Sequence, residues 1–179
     1  QTSTCWPYRK KINVTSPGTL EDYQVKLTLN FSTEISAGKM PNDCSDLRFS
    51  QYNLTTGRDE EIAYWIENCS DPSQALVWVK VPNITSATHI HVYYGNNDTQ
   101  TSGSGDDTFD FFDEFEAINV GEWGAEASNW ASANNITYPV VSANSELESQ
   151  TYSYPTAYAV ELRARGNVSK LGSTVRFTL

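Results

Sequence analysis

The strictest constraint in this chain is alternation. In Tyr23-Gln24-Val25-Lys26-Leu27-Thr28-Leu29 every second residue is apolar, a period that suits a half-buried strand and not a helix. Tyr8 to Thr15 repeats it, with Tyr8, Ile12 and Val14 predicted inward and Arg9, Lys11, Asn13 and Thr15 outward. The same reading predicts strands at 47–50, 61–67, 75–81 and 89–94, with Trp65 and Trp78 in the core. Asn53 to Gly57 and Asn96 to Asp98 carry turn residues. No segment before residue 100 shows a helical period. The expected class is all-β, an antiparallel, jelly-roll-like β-sandwich.

Thr99 to Asp107 is small, polar and glycine-containing, which predicts a linker over 99–107 between a β-sandwich module at 1–98 and a second β region at 108–179. The second region opens on Phe109-Asp110-Phe111-Phe112-Asp113-Glu114-Phe115. Strands are predicted there at 137–142, 158–164 and 174–179. A jelly roll needs on the order of eight strands, so this region is incomplete within the chain.

Eight Asn-x-Ser/Thr sequons are present, at Asn13, Asn30, Asn53, Asn68, Asn83, Asn97, Asn135 and Asn167. With 14 Asn, 19 Ser and 18 Thr in 179 residues, chance placement gives roughly three. A glycan must project into solvent, and these positions fall on a polar strand face, at strand ends or in polar loops. They imply a heavily N-glycosylated, extracellular protein. Three cysteines suit that compartment. Cys44 and Cys69 flank predicted strands and are the expected disulfide, with Cys5 unpaired; Cys5–Cys44 and Cys5–Cys69 stay open, because sequence does not set connectivity.

Net charge is −10, but its placement says more than its sum. Residues 1–80 hold 10 acids and 8 bases, the stretch between Lys80 and Arg163 holds 12 acids and no base, and 163–179 hold four bases and no acid. An acidic chain does not suit nucleic acid, whose phosphates need a basic surface. No apolar run approaches the roughly 18 to 20 residues of a membrane span. Signal and lipidation motifs are missing from the sequence, while Gln1 is compatible with an earlier leader having been removed.

Six blocks now occur in order: Tyr8-Arg9-Lys10-Lys11-Ile12, Tyr23-Gln24-Val25, Cys44-Ser45-Asp46-Leu47-Arg48-Phe49, Tyr64-Trp65-Ile66-Glu67, Val77-Trp78-Val79-Lys80-Val81-Pro82 and Tyr93-Tyr94-Gly95-Asn96. Together, over residues 5–115, they resemble the domain-of-unknown-function family 2341. The resemblance implies a β-rich module of archaeal and bacterial surface and secreted proteins, tilts the source toward archaea, and carries no catalytic residues. The phenylalanine-rich segment, Trp123 and Tyr158 to Arg165 resemble the opening of a concanavalin A-like (laminin G-like) jelly roll.

Candidate sites are few. His89 and His91 project to one side of a strand without a nameable third ligand. Asp110, Asp113 and Glu114, beside Asp106 and Asp107, form the densest carboxylate cluster. Oxygen-rich loops suit Ca²⁺, so a structural Ca²⁺ is the one candidate cofactor and none is required. Trp123 and Trp130 are candidate sugar-stacking platforms. No carboxylate pair, nucleophile elbow, metal triad or phosphate loop is evident, so the expected protein is not an enzyme. The leading expectation is a surface subunit that assembles with copies of itself through strand exchange, the donor being 174–179 or the strand near Tyr8 to Thr15. Its rivals are a carbohydrate-binding, lectin-like adhesion module and a piece of a longer surface protein.

Overall fold

In the computed structural model the alternating segments become strands. It describes residues 5–96, 98–114, 117 and 123, with the backbone alone at 130–133 and 136–139. The strands are β1 (Tyr8–Asn13), β2 (Leu20–Leu29), β3 (Arg48–Asn53), β4 (Arg58–Glu61), β5 (Tyr64–Asn68), β6 (Ala75–Ile84) and β7 (His89–Tyr94). Two short helices join them, α1 (Ser32–Ser36) and α2 (Gly105–Thr108). A four-stranded sheet runs β1-β7-β3-β4 and a three-stranded sheet runs β2-β6-β5, with every pair antiparallel. The protein is thus nearly all β, an antiparallel sandwich as the alternation predicted.

Period two decides what lies between the sheets. Ala75, Val77, Val79 and Val81 of β6 and Tyr64 of β5 are buried against Phe49 of β3 and Ile90, Val92 and Tyr94 of β7. Each of the valine, isoleucine and phenylalanine side chains contributes roughly 1.5–3 kcal/mol by leaving water. β6 pairs with β2 from Leu20↔Ile84 to Leu29↔Ala75, so Val25 and Leu27 share the inner face. Asn53 turns the β3–β4 hairpin: its Oδ1 accepts from the Thr55 amide at 2.8 Å, and Gly57 closes the turn at φ +68.

Three expectations change. The strand predicted over 61–67 begins only at Tyr64, as β5, and β4 (Arg58–Glu61) forms where none is expected, because the chain leaves the four-stranded sheet after Glu61 and enters the three-stranded one at Tyr64. Ile62, between them, turns into the core at 6% exposure. Trp65 and Trp78 are not in the sandwich core. Burial of Tyr64, Val77 and Val79 forces their neighbours onto the opposite face, where Phe109 and Phe112 cover them.

Residues 99–107 are no free linker either. The first compact unit runs from Gln1 to Glu114, and 99–114 lie across it as a strap. Arg48 Nη2 donates to Gln100 O at 2.8 Å, and the Ser104 amide donates to Tyr64 O at 2.8 Å. The Ser104 hydroxyl caps α2 by accepting from the Asp107 amide. In the second unit, Phe115–Leu179, a hairpin pairs β8 (Trp130–Ala133) with β9 (Ile136–Pro139). The strands expected at 158–164 and 174–179 lie outside the described residues, as does the concanavalin-like resemblance of 158–165.

Candidate functional site

The sequon asparagines are the first candidate site. Asn13, Asn30, Asn68 and Asn83 are exposed at strand ends. Asn30 Oδ1 accepts from the Ser32 amide at 3.0 Å and Asn68 Oδ1 from the Ser70 amide at 2.8 Å. Each side chain therefore closes a turn on its own sequon hydroxyl residue, directing Oδ1 inward to the backbone. Asn53 makes the same turn but is half-buried, and its Nδ2 donates to Glu60 Oε2 at 2.7 Å. Asn97, Asn135 and Asn167 lie outside the described residues.

Cys44 and Cys69 form the expected disulfide, with Cα atoms 6.1 Å apart. It links the approach to β3 with the exit from β5, and so staples one sheet to the other. Cys5 is a free, exposed thiol.

The family-like blocks converge at this end of the sandwich. Asp46 is 0% exposed and its Oδ2 accepts from the amides of Gly95 and of Asn96, the latter at 3.1 Å. Burial pushes its carboxyl above the ordinary value, against the pull of those two amides and of Arg48. Gly95 sits at φ +101, and a Cβ there would lie 2.6 Å from the Tyr8 ring, so only glycine fits. Trp6 Nε1 donates to Asp46 O at 2.7 Å, and the Arg48 guanidinium stacks on the Trp6 ring at 5.1 Å. Arg48 also reaches Leu47 O at 2.6 Å, Tyr64 Oη at 3.1 Å and Glu61 at 3.6 Å. These contacts tie the N-terminal segment, both sheets and the strap together. The blocks in the sequence contained Tyr8, Asp46, Leu47, Arg48, Tyr64, Gly95 and Asn96, though not Trp6 or Glu61, and nothing in them said that they meet.

The outer face of the four-stranded sheet is the second candidate. His89, His91 and Tyr93 of β7 line up there, opposite Ser50 and Arg48 of β3. Asp59 of β4 gathers them: Tyr93 Oη donates to it at 3.4 Å, His91 Nδ1 lies 3.7 Å away and Arg9 3.9 Å away. Burial lowers His91 from its ordinary value despite the opposing Asp59, which keeps the imidazole neutral near pH 7. Among the described residues, no three His, Cys, Asp or Glu side chains converge to hold a metal ion.

Two of the proposed Ca²⁺ carboxylates are engaged by different partners. Asp110 pairs with Lys80 at 3.4 Å, and Glu114 accepts from Trp65 Nε1 at 2.9 Å. Asp113 is half-buried. Trp123 is half-buried, and Trp130 opens β8, its side chain lying outside the described residues. Among the described residues, no helix is long and apolar enough to cross a membrane.

A family model matches residues 43–133, described as domain of unknown function (DUF2341). The chain belongs to this family. The DUF2341 match takes in β3 to β7, the strap and β8; the blocks at Tyr8 and Tyr23 precede it. No curated protein and no solved structure gives a significant match to the chain.

Proposed function

We propose that this protein is a non-enzymatic, heavily N-glycosylated extracellular subunit that assembles with copies of itself at a cell surface. The observation that carries this reading is the exposure of Asn13, Asn30, Asn68 and Asn83 at strand ends, with two of them held in turns on their own sequons. A glycan on Nδ2 leaves Oδ1 free to keep its backbone amide, so modification there costs the fold nothing it uses. The Cys44–Cys69 bridge fits an oxidising compartment. Polymerisation is supported by the unpaired outer edges that both sheets leave among the described residues.

Intact mass of the secreted protein, before and after enzymatic removal of N-glycans, tests the reading. Several glycans should be lost, and Asn30→Gln, Asn68→Gln and Asn83→Gln should each remove one. Asn53, whose Nδ2 is engaged by Glu60, should show the lowest occupancy of the five described sequons. A secreted native protein with the bare polypeptide mass sinks the proposal.

A further inference from the structure

The two outer edges of the four-stranded sheet carry opposite charge in matching order. β1 presents Arg9-Lys10-Lys11 and β4 presents Asp59-Glu60-Glu61. Among the described residues neither edge pairs with a further strand. All three ladders in this sheet are antiparallel, so with four strands β1 and β4 run in opposite directions. A copy moved sideways along the sheet, without being turned over, therefore brings its β1 antiparallel to β4 of its neighbour. The three-stranded sheet lacks this property, because its edges β2 and β5 run the same way.

We propose that a second copy of this chain docks its β1 on the β4 edge, extending the sheet from molecule to molecule. This rests on the reading of the protein as a self-assembling subunit. One register satisfies both pleat and charge: Arg9 opposite Glu61, Lys10 opposite Glu60 and Lys11 opposite Asp59. Arg9 and Lys11 lie on the outer face of β1, as Glu61 and Asp59 do on β4, where they oppose Ser50 and Tyr52. Lys10 and Glu60 take the inner side, and each already has partners, Glu34 for Lys10 and Asn53 and Thr56 for Glu60. The outer pairs then set the register, since Arg9 and Glu61 side chains are about three-fifths exposed (60% and 61%) and their ion pairs within one copy are long, Arg9 with Asp59 at 3.9 Å and Glu61 with Arg48 at 3.6 Å, and opposite charges across strands attract. Asn13 falls beyond Arg58, so a glycan there borders the junction without filling it. The interface joins two different surfaces and does not close on itself, which yields a filament. Each copy adds four strands, about 19 Å along the sheet, with a twist of roughly 80–100°.

Sedimentation of the secreted, glycosylated chain tests this, in a Cys5→Ser background that removes intermolecular disulfides through the free thiol. The chain should polymerise at ~50 mM salt and dissociate at ~500 mM, where screening is short-ranged. Arg9→Glu with Lys11→Glu, and separately Asp59→Lys with Glu61→Lys, should each weaken association by about tenfold or more. Mixing the two variants should restore polymer, since each reversed edge then meets its complement. Independently of how those variants fold, Lys11→Cys with Asp59→Cys should give an intermolecular disulfide between positions 11 and 59. Within one copy these lie three strands apart, about 14 Å, too far to bridge. Polymer that ignores both charge reversals and never forms the 11–59 bond overturns the edge pairing and leaves self-assembly standing. A chain that stays monomeric at every salt concentration overturns both.

Discussion

The outer faces of the two sheets obey the same alternation and end in opposite conditions. On the three-stranded sheet, Trp78 lies opposite both Lys26 and Trp65. Trp78 Nε1 donates to Glu67 at 2.8 Å, and Lys26 stands 4.9 Å over the Trp78 ring. Phe109 and Phe112 then close over both indoles at 4.7–6.0 Å. On the four-stranded sheet, His89, His91, Tyr93, Arg9 and Asp59 contact one another in a polar layer. Alternation along a strand defines an outward side, but outward is not the same as wet. The aromatic side needed a cover, and the chain supplies one from 99–114; the polar side gathers its charges around Asp59 and leaves Ser50 Oγ and His91 Nδ1 buried without a hydrogen-bond partner among the described residues.

The largest effect expected is on both faces at once. Cys44→Ser with Cys69→Ser cuts the staple between the sheets and should cost about 3 kcal/mol for a loop of 25 residues, measured by denaturant unfolding. Next comes the covered face alone. Phe112→Ala should cost about 2–3 kcal/mol and shift tryptophan emission to the red as Trp65 meets water. Gly105→Ala should do nearly the same without touching an aromatic residue, because its methyl would lie 2.0 Å from Phe112 Cε1. If Phe112→Ala proves neutral, the strap is not a cover and the contrast between the faces fails.

A smaller effect concerns the carboxyl that joins the approach to β3 to the turn after β7. The Asp46 carboxyl is raised above its ordinary 3.8 by burial, so the native state binds the extra proton. Stability from this group falls as pH rises from 3.8 through the raised folded value. Glu34, held low chiefly by its hydrogen bond from Lys10, and Asp43, held low by the Ser45 amide, act the other way: their stabilisation is lost as pH falls through their lowered folded values. Asp46→Asn should keep both amide bonds and remove only the first dependence, read as the difference between melting curves taken across that range. The smallest effect belongs to the polar face: His91→Ala, at a side chain 16% exposed, should change stability by about 1 kcal/mol. A loss as large as that of Phe112→Ala would mean this face is covered too.

Six of the seven strands of the sandwich were nearly legible because burial of one face imposes period two on the residues themselves; β4 was not, because all four of its residues are exposed. Tyr23 to Leu29 and Ala75 to Val81 needed no partner to be recognised. The sequons were equally legible, since their chemistry is local to three residues. The break at Ile62 and Ala63 was not, because a strand that changes sheets keeps its apolar content. Trp65 and Trp78 were assigned to the wrong side: a large aromatic looks like core, and only the buried Tyr64, Val77 and Val79 beside them decide the parity.

By itself, then, the sequence determined the β class and the placing of the sequons, both of which depend on neighbours in the chain, while the Cys44–Cys69 pairing it favoured was decided by the fold. Tertiary structure alone decided that 99–114 is a strap, that Asp46, Arg48, Tyr64 and Gly95 meet, and that β1 and β4 are opposite edges of one sheet. Those facts join residues from 16 to 52 positions apart. The free energy of such contacts appears only once the intervening strands have paired, so no local pattern announces them.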